Sequence, residues 1–281
     1  MTIRLRFLTI LLLAAWAGRS EIRDILKSSE IDALMAKTQK STDVMVKTNY
    51  IISLRVQTEP GSFVTHPDAD EIWLVRRGEA KLSLGESTLA TGVKRTGKDY
   101  DLAKGDVVNV PRTMAYLLAP SSRLEYVVIQ IFPTERHFTA GRGGGQGGRG
   151  GGQARPMPDV VPNATIQDTF LKNTTNQPLH SLGAASMNHV IYNGAPGPYE
   201  IHLGCDDLYF VRLGSGTAKL DGRLLDPKEE SPGEIRGTTG VYGAREHKIG
   251  VGDILVIPRN TVHYMDPGNV KLGYLLLKVW E

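Results

Sequence analysis

Two blocks of residues occur twice in the chain with the same internal spacing. His66-Pro-Asp-Ala-Asp-Glu71 is followed after six residues by Gly78, and His202-Leu-Gly-Cys-Asp-Asp207 is followed after six residues by Gly214. Gly105-Asp106, four residues, Pro111 and, five further on, Tyr116 match Gly252-Asp253, four residues, Pro258 and, five further on, His263. Duplication of one unit is the natural account, so the chain is expected to fold as two similar domains. A length of 281 residues allows about two domains, each with its own core.

Inside each unit the hydrophobic period is two. In the first, Val44 and Val46 alternate, then Ile52, Leu54 and Val56, followed by the short apolar runs Ile72–Val75, Ala80–Leu84, Val107–Val110 and Leu124–Ile131. In the second, Asn188–Tyr192, Glu200–Leu203, Leu208–Val211, Ala218–Leu220, Ile254–Ile257, Val262–Met265 and Leu272–Val279 repeat the pattern around a polar insertion, Asp221–Gly243. Short strands separated by turn residues predict an all-β, antiparallel barrel or sandwich. Ser20–Lys40 instead reads as a helix, with Ser29 as cap, Asp32 three residues on, and a stripe of Ile31, Leu34 and Met35. It is expected on the outside of a barrel. A second short helix is expected near Thr165–Leu171. Between the units His137–Pro158 breaks the pattern, and its glycine- and arginine-rich tract Gly141–Arg155 reads as a linker, because it cannot pack a core. The expected organisation is a signal segment (1–17), an N-terminal helical segment (18–48), a first barrel (49–135), a linker (136–160) and a second barrel (161–281).

The chemistry concentrates in the second unit. Glu200 and His202 are two apart, so on a strand both side chains leave one face. Asp207 follows beyond a bend at Gly204, and His263 opens a later strand. Two imidazoles and two carboxylates suit a divalent transition metal of the manganese, iron, zinc or nickel type. Two carboxylates facing inward would be costly to bury without a cation. Cys205, on a continuous strand, would face away from His202 and reads as a small buried residue. His180, His189 and His247 lack ligand-like spacing. Trp73, Tyr116, Tyr209 and Tyr264 read as core aromatics, and Asp106 and Asp253, after turn glycines, as residues that fix turns.

The two pairs of blocks resemble the two motifs of the cupin superfamily, and His66–Glu79 resembles the germin form of the first. The resemblance implies two tandem jelly-roll barrels, a bicupin. In its register His66 and His202 take the place of the second histidine of the first motif, Glu71 and Asp207 that of its glutamate, and Val64 and Glu200 that of its first histidine. The second motif resembles Gly252–His263, with Asn260 in place of its glycine, while Tyr116 replaces the histidine in the first half. The resemblance therefore implies metal ligands Glu200, His202, Asp207 and His263, with a weaker remnant, His66 and Glu71, in the first barrel. Cupins resembling this chain include dioxygenases, oxalate-degrading enzymes and sugar isomerases. The implied function is a metal-dependent enzyme, dioxygenase-like or related, on a small oxygen-rich molecule. A non-catalytic small-ligand-binding or storage-type cupin is the alternative.

The ends and the charge bear on location and partners. Basic residues in Met1–Arg6, an apolar run Phe7–Ala14 and Ala15-Trp16-Ala17 form a signal-peptide pattern with cleavage expected after Ala17. The expectation is an exported protein, periplasmic or secreted. With one cysteine, Cys205, no internal disulfide can form. The net charge of +3 gives no argument for nucleic acid. The expected partner is a small-molecule ligand or substrate, with no membrane after cleavage and a homo-oligomer left open.

Overall fold

The structure, a computed structural model, describes residues 25–85, 87–88, 94–95, 97–133, 159–172, 177–181 and 184–280. The expected signal segment and the glycine-rich tract lie outside these residues.

In the first half, six antiparallel strands lie side by side in the order Val160–Val161, Val107–Val110, Asp70–Arg77, Leu124–Ile131, Tyr50–Gln57, Ser41–Val46. Tyr116–Pro120, Ala80–Leu84 and Lys98–Leu102 form the facing sheet. Ser41–Val46 pairs with Tyr50–Gln57, so the first barrel begins within the stretch expected to be helical. In the second half the stretches read as Leu208–Val211 and Ala218–Leu220 are one strand, Cys205–Leu220. Its first part pairs with Ile254–Ile257 and Lys271–Trp280, its second with Arg245–Gly250 and His263–Asp266. A shift of register between Val211 and Leu213 marks the corner where it passes from one sheet to the other. Gly214 stands there with φ 68°. A Cβ at this point would collide with the Lys271 carbonyl, and one at Gly78 (φ 85°) with the Arg123 carbonyl. The repeated glycine is thus required by the corner itself.

Several strands are buried along their whole length rather than alternately. Their second face is covered by the other barrel. Ile72, Leu74, Val127 and Ile129 from the first half meet Leu208, Phe210, Ile254, Val256, Leu275 and Leu277 from the second in one continuous core. The intervening residues point into their own barrel: Trp73, Val75, Val108 and Val128 in the first, Tyr209, Val211, Leu255 and Leu276 in the second. Sheets covered on both faces give continuous apolar runs.

The two helices among the described residues, α1 (Ser28–Lys37) and α2 (Asn163–Lys172), pack on their own halves, but the segments that lead into them are exchanged between the halves. Ile25–Leu26, just before α1, pairs with Ile254 and Leu255 of the second barrel. Val160–Val161, just before α2, pairs with Val107 and Val108 of the first. The backbone N–H of Ser28 donates to Asp253 Oδ1 and that of Asn163 to Asp106 Oδ1, each at 2.8 Å. The other carboxylate oxygens accept Gly250 N–H (3.0 Å) and Ala103 N–H (2.8 Å). Asp106 and Asp253 therefore close turns, as expected, and also cap a helix that belongs to the opposite half. Arg76 donates to the Gly252 carbonyl (3.0 Å), and Arg212, at the matching position, to the Gly105 carbonyl. The expectation for α1 is corrected in one respect: its N-cap position is Lys27, with Ser29 inside the first turn. It packs on the outside of a barrel, as expected, and Ile31 and Met35 there join the core between the two barrels.

Candidate metal centre

Strand Tyr199–His202 lies between Glu234–Tyr242 and His263–Asp266, and Glu200 is the direct cross-strand neighbour of His263. Glu200 Oε1 stands 3.4 Å from His263 Nε2, and Glu200 Oε2 stands 3.8 Å from His202 Nε2. His263 donates its Nδ1–H to the Thr261 carbonyl at 3.1 Å, which leaves the Nε2 lone pair facing Glu200 and, at 3.5 Å, Asp207 Oδ2. This buried Nε2 has no hydrogen-bond partner among the described residues. His202 Nδ1 meets Asp207 Oδ2 at 2.8 Å, so the aspartate holds the Nδ1 proton and Nε2 is turned toward Glu200. Glu200, His202 and His263 each offer an atom within 4.8 Å of the other two. Ligands at about 2.0–2.2 Å from a common ion stand roughly 3–3.6 Å apart, so the set fits a divalent ion after small side-chain shifts. The donor types, two imidazoles and a carboxylate, and the fixed tautomers fit as well. All four residues singled out in the sequence converge, but Asp207 does so as the partner of His202 Nδ1.

The loop before His263 is tied to the same strand. Asn260 N–H donates to the His202 carbonyl (2.8 Å) and Arg259 N–H to Asp206 Oδ1 (3.0 Å). Asn260 has φ 64°, a conformation asparagine tolerates and glycine prefers. The first half repeats each bond: Thr113 N–H to the His66 carbonyl (3.1 Å) and Arg112 N–H to Asp70 Oδ1 (2.8 Å).

No protein-family model and no curated protein sequence matches the chain. Among solved structures, a cupin 2 conserved barrel domain protein from Leptotrichia buccalis superposes with a TM-score of 0.58 at 12% identity, over 93% of this chain and 98% of that one. Salicylate 1,2-dioxygenase from Pseudaminobacter salicylatoxidans superposes with a TM-score of 0.62 at 9% identity, over 91% and 83%. The chain has the cupin fold, twice over. At such identities the likeness is one of architecture, and the residues of each cupin barrel must speak for its chemistry.

The two cupin barrels solve the same charge problem differently. In the first, the fully buried Glu71 accepts from Arg55 Nη2 (3.1 Å), Gln130 Nε2 (2.8 Å) and Trp73 Nε1 (2.7 Å), with His66 Nε2 at 3.4 Å. The guanidinium of Arg55 balances the carboxylate from inside the chain, and His66 turns to the Tyr116 hydroxyl at 3.2 Å. Val64 makes a bridge with Tyr116 where Glu200 meets His263 in the second barrel. Burial, and then the Glu71 carboxylate, push the Tyr116 hydroxyl well above its ordinary pKa, so it stays protonated.

In the second barrel the internal cation is Lys278, which the sequence reading missed. Its Nζ lies 3.0 Å from His202 Nε2 and 3.8 Å from Asp207 Oδ1. Burial opposes ionisation of Asp207, but Lys278 and then His202 outweigh it and hold the carboxyl far below its usual range. Burial likewise opposes charge on His263, and the Glu200 and Asp207 carboxylates outweigh it and raise its pKa. Arg236 and Glu234 were also missed: they enter from the insertion, as cross-strand neighbours of Glu200 and His202. Cys205 is buried, as expected, but its direction is a correction. A bend at Leu203–Gly204 separates the strands, so the alternation restarts and Cys205 shares a face with Asp207, its Sγ 3.5 Å from Oδ1. Burial, reinforced by Asp207, raises its pKa and keeps it a thiol.

Proposed function

We propose that the second barrel is a divalent transition-metal centre and that the protein is a metal-dependent enzyme, dioxygenase-like or related, acting on a small oxygen-rich molecule. The carrying observation is the convergence of Glu200, His202 and His263, each with a ligand atom within 4.8 Å of the other two. Asp207 holds His202 in the tautomer that leaves Nε2 open, and the Thr261 carbonyl does the same for His263. A bound ion would supply a Lewis acid for substrate oxygens. Glu200, facing both imidazoles, also stands where a carboxylate could take a proton from a bound substrate. Tyr209, buried beside the site, donates to Asp207 Oδ2 at 3.3 Å and helps keep water from the carboxylate. The N-terminal pattern supports export, which the first residue of the mature protein tests: cleavage after Ala17 leaves Gly18.

The test is metal analysis of purified protein beside His202→Ala and His263→Ala. About one equivalent of transition metal in the wild type, lost in both variants, is expected. A wild type that takes up none from manganese, iron, zinc or nickel sinks the reading. A second reading, a small-ligand-binding protein without turnover, has one observation in its favour: Lys278 already balances the buried carboxylates. Metal uptake decides between them.

A further inference from the structure

The hairpin of Arg223–Ser231 and Glu234–Tyr242 is built from the polar insertion that carried no role in the sequence. Its inner strand places Arg236 opposite Glu200 and Glu234 opposite His202. Directly opposed residues project from the same face, so the hairpin forms part of the wall of the site. Arg236 Nη2 donates to Glu234 Oε1 at 2.6 Å and lies 3.6 Å from Glu200 Oε2. Its Nε is buried and has no hydrogen-bond partner among the described residues. The side chain as a whole is 40% exposed, with Nε itself on its covered side. Buried donors are seldom left unpaired, and this one sits beside the candidate centre.

The charges around it point to what completes the pairing. Three carboxylates, Glu200, Asp207 and Glu234, stand against two side-chain cations, Arg236 and Lys278. With both imidazoles neutral, as they are when they hold an ion, a divalent ion turns this deficit of one charge into a surplus of one. A ligand with a single negative charge, presented as a planar pair of oxygens, matches both that surplus and the guanidinium fork. We propose that the second barrel takes a small monocarboxylate, that Arg236 holds its carboxylate, and that the hairpin is the element that selects it. This rests on the metal reading of the same site.

The experiment compares acids with their neutral amides: glycolate with glycolamide, lactate with lactamide, benzoate with benzamide. Each is titrated calorimetrically into metal-supplemented protein, wild type, Arg236→Gln and Arg236→Lys, with metal content measured on every sample. At least one acid is expected to bind about tenfold or more tighter than its amide in the wild type. In Arg236→Gln that preference disappears with metal content unchanged, and Arg236→Lys, which keeps charge but not the fork, is intermediate. Acids and amides binding alike, no acid binding below about 10 mM, or a preference that survives Arg236→Gln overturns the proposal. Absence of metal from the wild type overturns the metal reading separately, while the acid-to-amide comparison on those samples still decides the role of Arg236.

Discussion

His263 and Lys278 carry opposite messages about the ion, and both can be tested. The carboxylates raise the pKa of His263, so its contribution to stability is fully present below the unfolded value of about 6.5 and is lost as pH rises through the folded value. Metal-free protein is therefore expected to melt lower as pH climbs above about 6.5, and His263→Gln to flatten that part of the profile. A wild-type melting temperature that rises over the same range contradicts the assignment. Lys278 Nζ stands beside both ring nitrogens of His202, 3.2 Å from Nδ1 and 3.0 Å from Nε2, and competes with any ion. Lys278→Met should destabilise the metal-free protein by roughly 3–5 kcal/mol, because Asp207 loses a buried partner, and added metal should recover most of that. Chemical denaturation with and without metal measures both. That these four residues come together was legible, because each lies in or beside a motif of fixed spacing. Lys278 was not, since it sits in the apolar run Leu275-Leu-Leu-Lys-Val279 and only the pairing of Lys278 with Asp207 brings it in. Cys205 was misread because alternation was carried across a bend that resets it.

At the level of elements, the repeated glycines and aspartates acquire reasons. Gly78 and Gly214 turn corners, and Asp106 and Asp253 cap helices across the molecule. Asp253→Ala removes the acceptor for the Ser28 N–H at the start of α1 and should cost about 1–2 kcal/mol in denaturant unfolding. Asp106→Ala should cost a similar amount through α2, and an effect within about 0.5 kcal/mol for both would refute the cap. Strand positions were largely readable from the period of two. The length of Cys205–Leu220 was not, because the glycines of its corner look like a turn between two shorter strands. The hairpin within Asp221–Gly243 was hidden by its polarity: an edge hairpin with a solvated face has few apolar positions to alternate.

For the whole molecule, duplication was legible, but the way the copies meet was not. An apolar run such as Ile72–Val75 shows that both faces of a strand are buried without saying what covers each one. The shared core makes the barrels one cooperative unit. Calorimetry should show a single transition, with Leu277→Ala, deep in that core, lowering the stability of both halves by about 2–5 kcal/mol. Two resolved transitions, with only the second moved, would show independent barrels. The exchange of the segments that lead into α1 and α2 has a further consequence, one for heredity rather than for stability. Each copy of the ancestral unit is finished by a piece of its sibling, so neither can accumulate changes on its own account. A new residue at Asp106 is judged by how well it suits a helix encoded some sixty positions away, in the other copy. The first barrel can therefore carry Val64 and Tyr116 where the second has Glu200 and His263 and still be retained, kept in the lineage as the scaffold on which its twin depends.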